Sequence, residues 1–381
     1  MRVLFVEPFY GGSHRTFLDG LASHSRHEIV PLTLPEGEWR RRMRRGAQEL
    51  ADAAPAISGD FDLLVATDML DLPAFLALTR RRFGATPTLL YMHENQFTYP
   101  RLRGTKLNSW FGQINYLSAL AADAVAFNSD FHRRDFLGAL RTLARQPNNW
   151  LVPEAIATIE AKSKVLPIGL DLAALDAVRP NPQSKIAHPK SPLVLWNHRW
   201  EFDKAPETFA RVILALAERG VPFRVAIAGE PGDNPSPALH QLRDGLGERV
   251  THFGHLPRED YIRLLWGSDV VVSTSRHDFF GVATVEALYC RCFPVVPANY
   301  NYPDLIPEGL HPRCLWESEA GCVDLVERAV TDRASTADLD SLRLSASRFD
   351  WEIVATQWDD AFNELVGNTR VIHSNSNRHE M

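Results

Sequence analysis

The chain is 381 residues long, 45% hydrophobic and 23% charged, with a formal net charge of −6. That composition excludes disorder as the main state, and the length points to two domains rather than one. No apolar run reaches the length of a membrane span. Cys290, Cys292, Cys314 and Cys322 lack the spacing of a zinc site or a disulfide framework, which suits a reducing cytoplasm.

The opening, MRVLFVEPFYGGSH, has one Arg and no small-residue cleavage site, so it reads as a buried strand rather than a leader. Strands are expected at 3–9, 27–34, 62–69, 88–95, 124–130 and 163–169. Helical stretches such as Thr16–Ser23, Leu72–Arg82, Trp110–Ala122 and Phe131–Leu143 lie between them. Fully apolar strands alternating with amphipathic helices predict a parallel sheet covered on both faces.

Residues 171–192 lose that periodicity and gather prolines, which marks a linker. The alternation then resumes, with strands at 193–199, 223–230, 249–256, 270–275 and 292–299 and helices at 206–219, 258–266 and 281–290. The expected organisation is α/β: an N-terminal domain over 1–180, a C-terminal domain over 181–366 and a flexible tail over 367–381. Ligands of two such domains are expected in a cleft outside the carboxyl ends of the strands. Residues 1–150 carry 18 basic and 15 acidic side chains, net +3, which leaves −9 for the remainder. A mildly basic front half on an acidic protein can hold a phosphate-rich partner locally.

Two segments of the second domain carry phosphate chemistry. In WNHRWEFDKAPETF (196–209), Arg199 ends a strand and Lys204 precedes a helix. Cations so placed would clamp a diphosphate and stabilise it as a leaving group. A surface loop salt-bridged to Glu201, Asp203 and Glu207 is an equal alternative on spacing alone. In STSRHDFFGVATVEALYCRCFPVV (273–296), Gly281 opens a helix that carries Glu286. A helix start favours an anion, and a carboxylate can accept both hydroxyls of a ribose. Alone, Asp278 as an N-cap and Glu286 as a solvated helix residue would be the better explanation of the segment.

In the first domain, Gly11-Gly12-Ser13-His14 follows the first strand and suits either a loop near a diphosphate or a plain tight turn. His93-Glu94-Asn95-Gln96 places four hydrogen-bonding side chains at a sheet's carboxyl edge, which packing does not explain. Asn128-Ser129 reads as a helix cap. Around Trp39, the residues Arg40, Arg41, Arg42, Arg44 and Arg45 could contact RNA phosphates while the indole stacks on a base. The same run also reads as a solvated helix face with Trp39 anchored inward. Arg101, Arg103 and Lys106 follow on a loop, and Arg133 and Arg134 could extend the basic surface.

Asp278-Phe279-Phe280-Gly281 with Glu286 resembles the EFG-x4-E motif of retaining glycosyltransferase family 4, of GT-B fold. The Arg199/Lys204 pair resembles that family's phosphate clamp. Gly229-Glu230 resembles its glycine-rich strand end, and Phe253-Gly254-His255 its nucleobase segment. More specifically, PFYGGSHRTF (8–17), MHENQFTYP (92–100), FNSDFHRRDFL (127–137), the WNHRWE block and HDFFGVATVEALYCRCFPVVP (277–297) resemble the tRNA-queuosine α-mannosyltransferase family. Asp278 stands where the family 4 motif has Glu.

The resemblance implies transfer of mannose from GDP-mannose to the cyclopentenediol of queuosine in the anticodon of tRNA-Asp, with retention by front-face attack. It implies His93, Arg199 and Lys204 as catalytic residues. The donor would be held by Gly11, Gly12, Arg199, Lys204, Gly229, Glu230, Phe253, Gly254, Asp278, Phe279, Phe280, Gly281 and Glu286. Acceptor and tRNA would be held by Ser13, His14, Trp39, Arg40, Arg41, Arg44, Glu94, Asn95, Gln96, Arg101 and Arg103. No DxD motif or His/Asp cluster suggests a metal, so no metal or cofactor is expected beyond the donor substrate. No membrane association or obligate protein partner is expected either. The rival readings are a family 4 transferase with a lipid or polysaccharide acceptor, a non-catalytic RNA- or nucleotide-binding protein on the same scaffold, and a nucleotide-sugar epimerase.

Overall fold

The computed structural model describes residues 1–100, 109–147, 149–180, 191–232 and 236–379, with the backbone alone at 109 and 369–379. It divides into two compact units. The first carries a parallel sheet of β1 (Arg2–Tyr10), β2 (Glu28–Pro35), β3 (Leu63–Thr67), β4 (Thr88–Met92), β5 (Ala124–Phe127) and β6 (Ser163–Val165). Its strand order is β2-β1-β3-β4-β5-β6. The second carries β7 (Leu193–Trp196), β8 (Arg224–Ala228), β9 (Val250–Gly254), β10 (Val270–Val272), β11 (Phe293–Pro297) and β12 (Leu315–Trp316). Its order is β12-β11-β10-β7-β8-β9, again all parallel. Both doubly wound sheets expected from the alternation are present.

The strands read as continuous apolar runs because each face of the sheet is covered. In the first unit Leu4, Val6, Leu64, Ala66, Leu90 and Met92 pack into one core, while Val3, Phe5, Leu63, Val65, Leu89 and Tyr91 pack into another. That alternation is the two-residue period of a strand buried on both sides.

The second of these cores is closed by Trp351, Val354, Trp358 and Phe362 of the helix Trp351–His379. This last helix therefore belongs to the first unit, not to the C-terminal domain expected over 181–366. Packing explains the assignment. A Cβ on Gly20 or Gly169 would lie 2.4 or 2.2 Å from the Trp351 ring, so both glycines make room for it. Trp358 Nε1 donates to the Pro167 carbonyl at 3.1 Å, and buried Asp359 accepts from the Arg26 backbone N–H at 2.9 Å. The helix also runs on through residues 367–379, which were expected to form a flexible tail.

The other boundary falls earlier than expected. The first unit ends at Leu170, and the helix Leu172–Ala177 belongs to the second, where Asp176 accepts from Arg343 at 2.8 Å and from Tyr289 at 2.7 Å. The remainder of the expected linker, 181–190, lies outside the described residues.

In each sheet the strand order reverses once, between β1 and β3 and between β7 and β10. Ligands of open α/β sheets bind outside the carboxyl ends of the strands at such reversals. In the first unit this selects the residues after β1, β3 and β4; in the second, those after β7, β8 and β10.

Candidate active site

The second unit holds a cavity of about 500 Å3. Asn197, His198 and Arg199 enter it from the end of β7, Ala228, Gly229 and Glu230 from the end of β8. His255 and Leu256, after β9, and Arg258 and Tyr261, on the next helix, close the wall. Gly229 is required there: a Cβ would lie 1.9 Å from the His198 carbonyl oxygen. Two buried polar atoms of the lining, Asn197 Oδ1 and His198 Nε2, have no hydrogen-bond partner among the described residues. Buried polar groups are normally satisfied, so these mark a place for a ligand or water.

Beside His198 lies a buried ion cluster. Lys204 Nζ is 3.2 Å from Asp203 and 3.6 Å from Asp278, and Tyr302 donates to Asp278 at 2.9 Å. Burial opposes the charge on Lys204, but Asp278 and Asp203 outweigh it and raise its pKa. Burial likewise opposes ionisation of Asp278, yet Lys204 and His198 leave its pKa below the usual value. His198 is pushed down to about 4, by burial first and by Lys204 second. Lys204 is therefore a fixed cation beside a neutral imidazole. Arg199 is more exposed and pairs with Glu201 at 3.1 Å.

Gly281, at φ +91°, opens the helix Val282–Tyr289. Glu286 on that helix is buried, and its oxygens accept from Arg258 at 2.6 Å and Tyr261 at 3.2 Å. The solvated Glu286 of the simpler reading is thus excluded. Phe279 and Phe280, expected at the donor, are buried, with Phe280 packed on Phe349. Phe253 packs between Trp200 and His240. These three rings shape loops and are not among the cavity lining.

In the first unit the ends of β1, β3 and β4 meet in a group that sequence reading recovered only partly. Buried Glu7 accepts from the Phe9 backbone N–H at 2.7 Å and lies 3.1 Å from His14 Nδ1. The His14 and His93 ring centroids are 4.2 Å apart. Asp68, wholly buried, accepts from the His93 backbone N–H at 2.7 Å. Burial opposes protonation of His14, but Glu7 overrides it and raises the pKa to about 9. His93 moves the other way, well below its usual value, through burial and then the charge on His14. Its Nε2 is buried with no partner among the described residues. Burial and then Glu94 raise the Asp68 pKa.

Glu7, His14 and His93 bring potential ligand atoms within 4.8 Å of one another. This corrects the expectation that the chain has no acid–imidazole cluster. The residues come from two strand ends and a helix start, so linear spacing does not reveal them.

The HENQ block divides in role. Asn95 is wholly buried, and its side-chain carbonyl accepts from the Phe97 and Thr98 backbone N–H groups at 3.1 Å, so it builds the turn. Gln96 donates to Glu94 at 3.1 Å. Asn128 donates to the His93 carbonyl at 2.8 Å and lies 3.0 Å from His132 Nδ1, so it is more than a helix cap. Gly12, at φ +49°, and exposed Ser13 begin the helix Gly12–His24 that carries His14. Buried Gly11 packs against Glu36.

The arginine run forms the helix Trp39–Ala53. Trp39 packs inward against Phe111, with ring centroids 5.1 Å apart, as the simpler reading had it. Arg40, Arg41, Arg44 and Arg45 are exposed, with Arg40 3.7 Å from Glu38 and Arg41 3.9 Å from Glu49; Arg42 is half-buried and pairs with Glu49 at 3.1 Å. The indole offered outward is Trp110, 40% exposed and 5.8 Å from the Arg44 guanidinium. Sequence reading passed over it as an ordinary helix residue. Arg133 and Arg134 pair with Asp130 at 2.8 and 3.1 Å. Arg101, Arg103 and Lys106 lie outside the described residues.

The chain matches the N-terminal model of tRNA-queuosine alpha-mannosyltransferase over residues 2–170 and that of group 1 glycosyl transferases over residues 179–339. It is 33% identical to the tRNA-queuosine alpha-mannosyltransferase of Drosophila melanogaster over 80% of this chain and 82% of that one. The chain belongs to the tRNA-queuosine α-mannosyltransferase family. It is a glycosyltransferase of the hexosyl-transferring kind, with a group 1 transferase domain as its second half. Within the wider superfamily it is 24% identical to the GDP-mannose:cellobiosyl-diphosphopolyprenol alpha-mannosyltransferase of Xanthomonas oryzae, over 92% of this chain and 85% of that one.

Solved structures of like fold include sucrose-phosphate synthase from Thermosynechococcus elongatus, with TM-score 0.70, 16% identity and coverage of 96% and 99% of the two chains. They also include trehalose-6-phosphate synthase OtsA, with TM-score 0.69, 13% identity and coverage of 95% and 98%. The family's two domains are thus the two Rossmann-like sheets of the GT-B fold. Among the described residues no helix is long and apolar enough to cross a membrane.

Proposed function

We propose that this chain transfers mannose from GDP-mannose to a hydroxyl of the queuosine cyclopentenediol in the tRNA-Asp anticodon, with retention at the anomeric carbon. The observation that carries the proposal is the 33% identity to a tRNA-queuosine alpha-mannosyltransferase across most of both chains. GDP-mannose as donor is supported by relatives whose names specify it, from Xanthomonas oryzae and Mycobacterium tuberculosis.

In this reading the donor's ribose hydroxyls bond to Glu286, and its diphosphate meets Arg199, Lys204 and the helix start at Gly281. Gly229, Glu230 and Gly254 supply the wall for the nucleotide, and Asp278 faces the sugar. Gly11 and Gly12 are assigned to the donor by the family resemblance. His93, neutral and with an unpaired buried nitrogen, bonds to a sugar hydroxyl. Ser13, His14, Glu94 and Gln96 serve the acceptor, and Arg40, Arg41, Arg44, Arg101 and Arg103 the tRNA backbone.

The anomeric C–O bond to the β-phosphate breaks as a queuosine oxygen bonds to the same face of that carbon. The hydroxyl proton passes to a phosphate oxygen of the departing GDP, whose growing charge Arg199 and Lys204 stabilise. GDP release tests the proposal. Release from GDP-mannose is expected only with tRNA-Asp that contains queuosine. Equal release with tRNA carrying guanosine at that position would remove the acceptor from the account, and no release with either would remove the donor.

A further inference from the structure

Arg258 has no part in the chemistry described so far, yet it stands in the wall of the nucleotide cavity. One guanidinium nitrogen donates to Glu286 Oε1 at 2.6 Å, while Tyr261 holds the other oxygen at 3.2 Å. Asn197 in turn donates to the Tyr261 hydroxyl at 2.9 Å. Each oxygen of Glu286 thus holds one protein donor, which leaves lone pairs for two ligand hydroxyls. Arg258 itself is far from saturated. A guanidinium has five N–H donors in a rigid fork, and its side chain is 54% exposed beside a carboxylate that is only 9% exposed. The guanidinium carbon also lies 5.6 Å from the Tyr261 ring centroid, a second contact that orients the fork.

We infer that Arg258 reads the nucleobase of the donor, selecting a purine with two adjacent acceptors, guanine, over adenine and uracil. The inference rests on the reading of Glu286 as the ribose carboxylate: a ribose seated on Glu286 carries its base next to the side chain already bound there. The chemistry then discriminates. Guanine presents N7 and O6 side by side, which two parallel N–H groups of Arg satisfy together. Adenine puts an amino donor beside N7, and uracil puts an N–H beside O4. Arg258 therefore has two roles on one guanidinium: one N–H positions Glu286 and the others recognise the base.

Binding of GDP, IDP, ADP and UDP to the full chain separates those roles, because IDP keeps N7 and O6 but lacks the 2-amino group. The wild type is expected to bind GDP and IDP within about threefold of each other, and ADP and UDP at least about tenfold more weakly. In R258Q, all four nucleotides lose what the Arg258 bond to Glu286 contributes at the ribose, and GDP and IDP should in addition fall to the level of UDP. A uniform loss across all four nucleotides in R258Q would overturn base reading and leave only the positioning of Glu286. Rejection of IDP as strong as that of UDP would overturn it too, since the 2-amino group would then carry the selection. If GDP and IDP bind as expected but no sugar reaches queuosine, the inference stands and the proposed acceptor falls. If the wild type binds none of the four, the donor pocket and this inference fall together.

Discussion

His14 and His93 lie 4.2 Å apart, ring centre to ring centre, and hold opposite states at neutral pH. His14 gains a proton because Glu7 overrides its burial; His93 sheds one because burial and the neighbouring charge act in the same sense. A histidine whose folded pKa is raised stabilises the fold fully below its unfolded value and loses that contribution as pH rises through the folded one. Stability should therefore decline between about pH 6.5 and about pH 9. Thermal unfolding across that range checks the sign, and His14→Gln should flatten the decline; an unchanged slope in that variant would detach it from His14. The HENQ block and Arg199/Lys204 were legible because unusual polar runs at strand ends stand out. Asp68 and Glu7 were not, since a lone acid inside an apolar strand region shows its partners only after the strands assemble.

At the scale of the element, the helix Trp39–Ala53 separates two functions along one surface. Met43, Gly46, Ala47 and Leu50 are buried, and Arg40, Arg41, Arg44 and Arg45 are exposed. Phosphate contacts make nucleic-acid affinity salt-dependent, whereas stacking on an aromatic ring is far less so. Replacing Arg40, Arg41 and Arg44 together by Ala should weaken tRNA binding and reduce the log–log salt slope by about 2. Trp110→Ala should weaken binding with little change in that slope. A triple variant with wild-type affinity and slope would place the tRNA elsewhere. Sequence reading left Trp39 open between stacking and anchoring inward, because charge patterning shows an exposed face but not which aromatic packs on a neighbouring helix. Trp39 is half-buried and packs against Phe111 of the helix Ser109–Ala121, while Trp110, next in sequence to Phe111, is 40% exposed.

Over the whole molecule, the alternation of apolar strands and amphipathic helices was enough to predict two doubly wound sheets. It could not say which sheet receives the last helix, because an amphipathic period shows that a face is buried and not against what. That depended on Gly20 and Gly169, two residues without side chains that admit the Trp351 ring. The two-residue strand β12 carries no detectable period. The cavity of the second unit shows the same division. Glycines and cations at strand ends announced it, but Arg258, at the start of a helix rich in charge, carries no linear signal of its bond to buried Glu286.

The most direct measurement is nucleoside mass spectrometry of tRNA-Asp, with and without queuosine, after incubation with the purified protein and GDP-mannose, run alongside His93→Ala. The account predicts one added hexose, on queuosine alone. It further predicts that His93→Ala lowers the yield by about two orders of magnitude or more while GDP binding is unchanged. Hexose on tRNA lacking queuosine, no hexose on either tRNA, or a variant that loses GDP binding in step with transfer would contradict it.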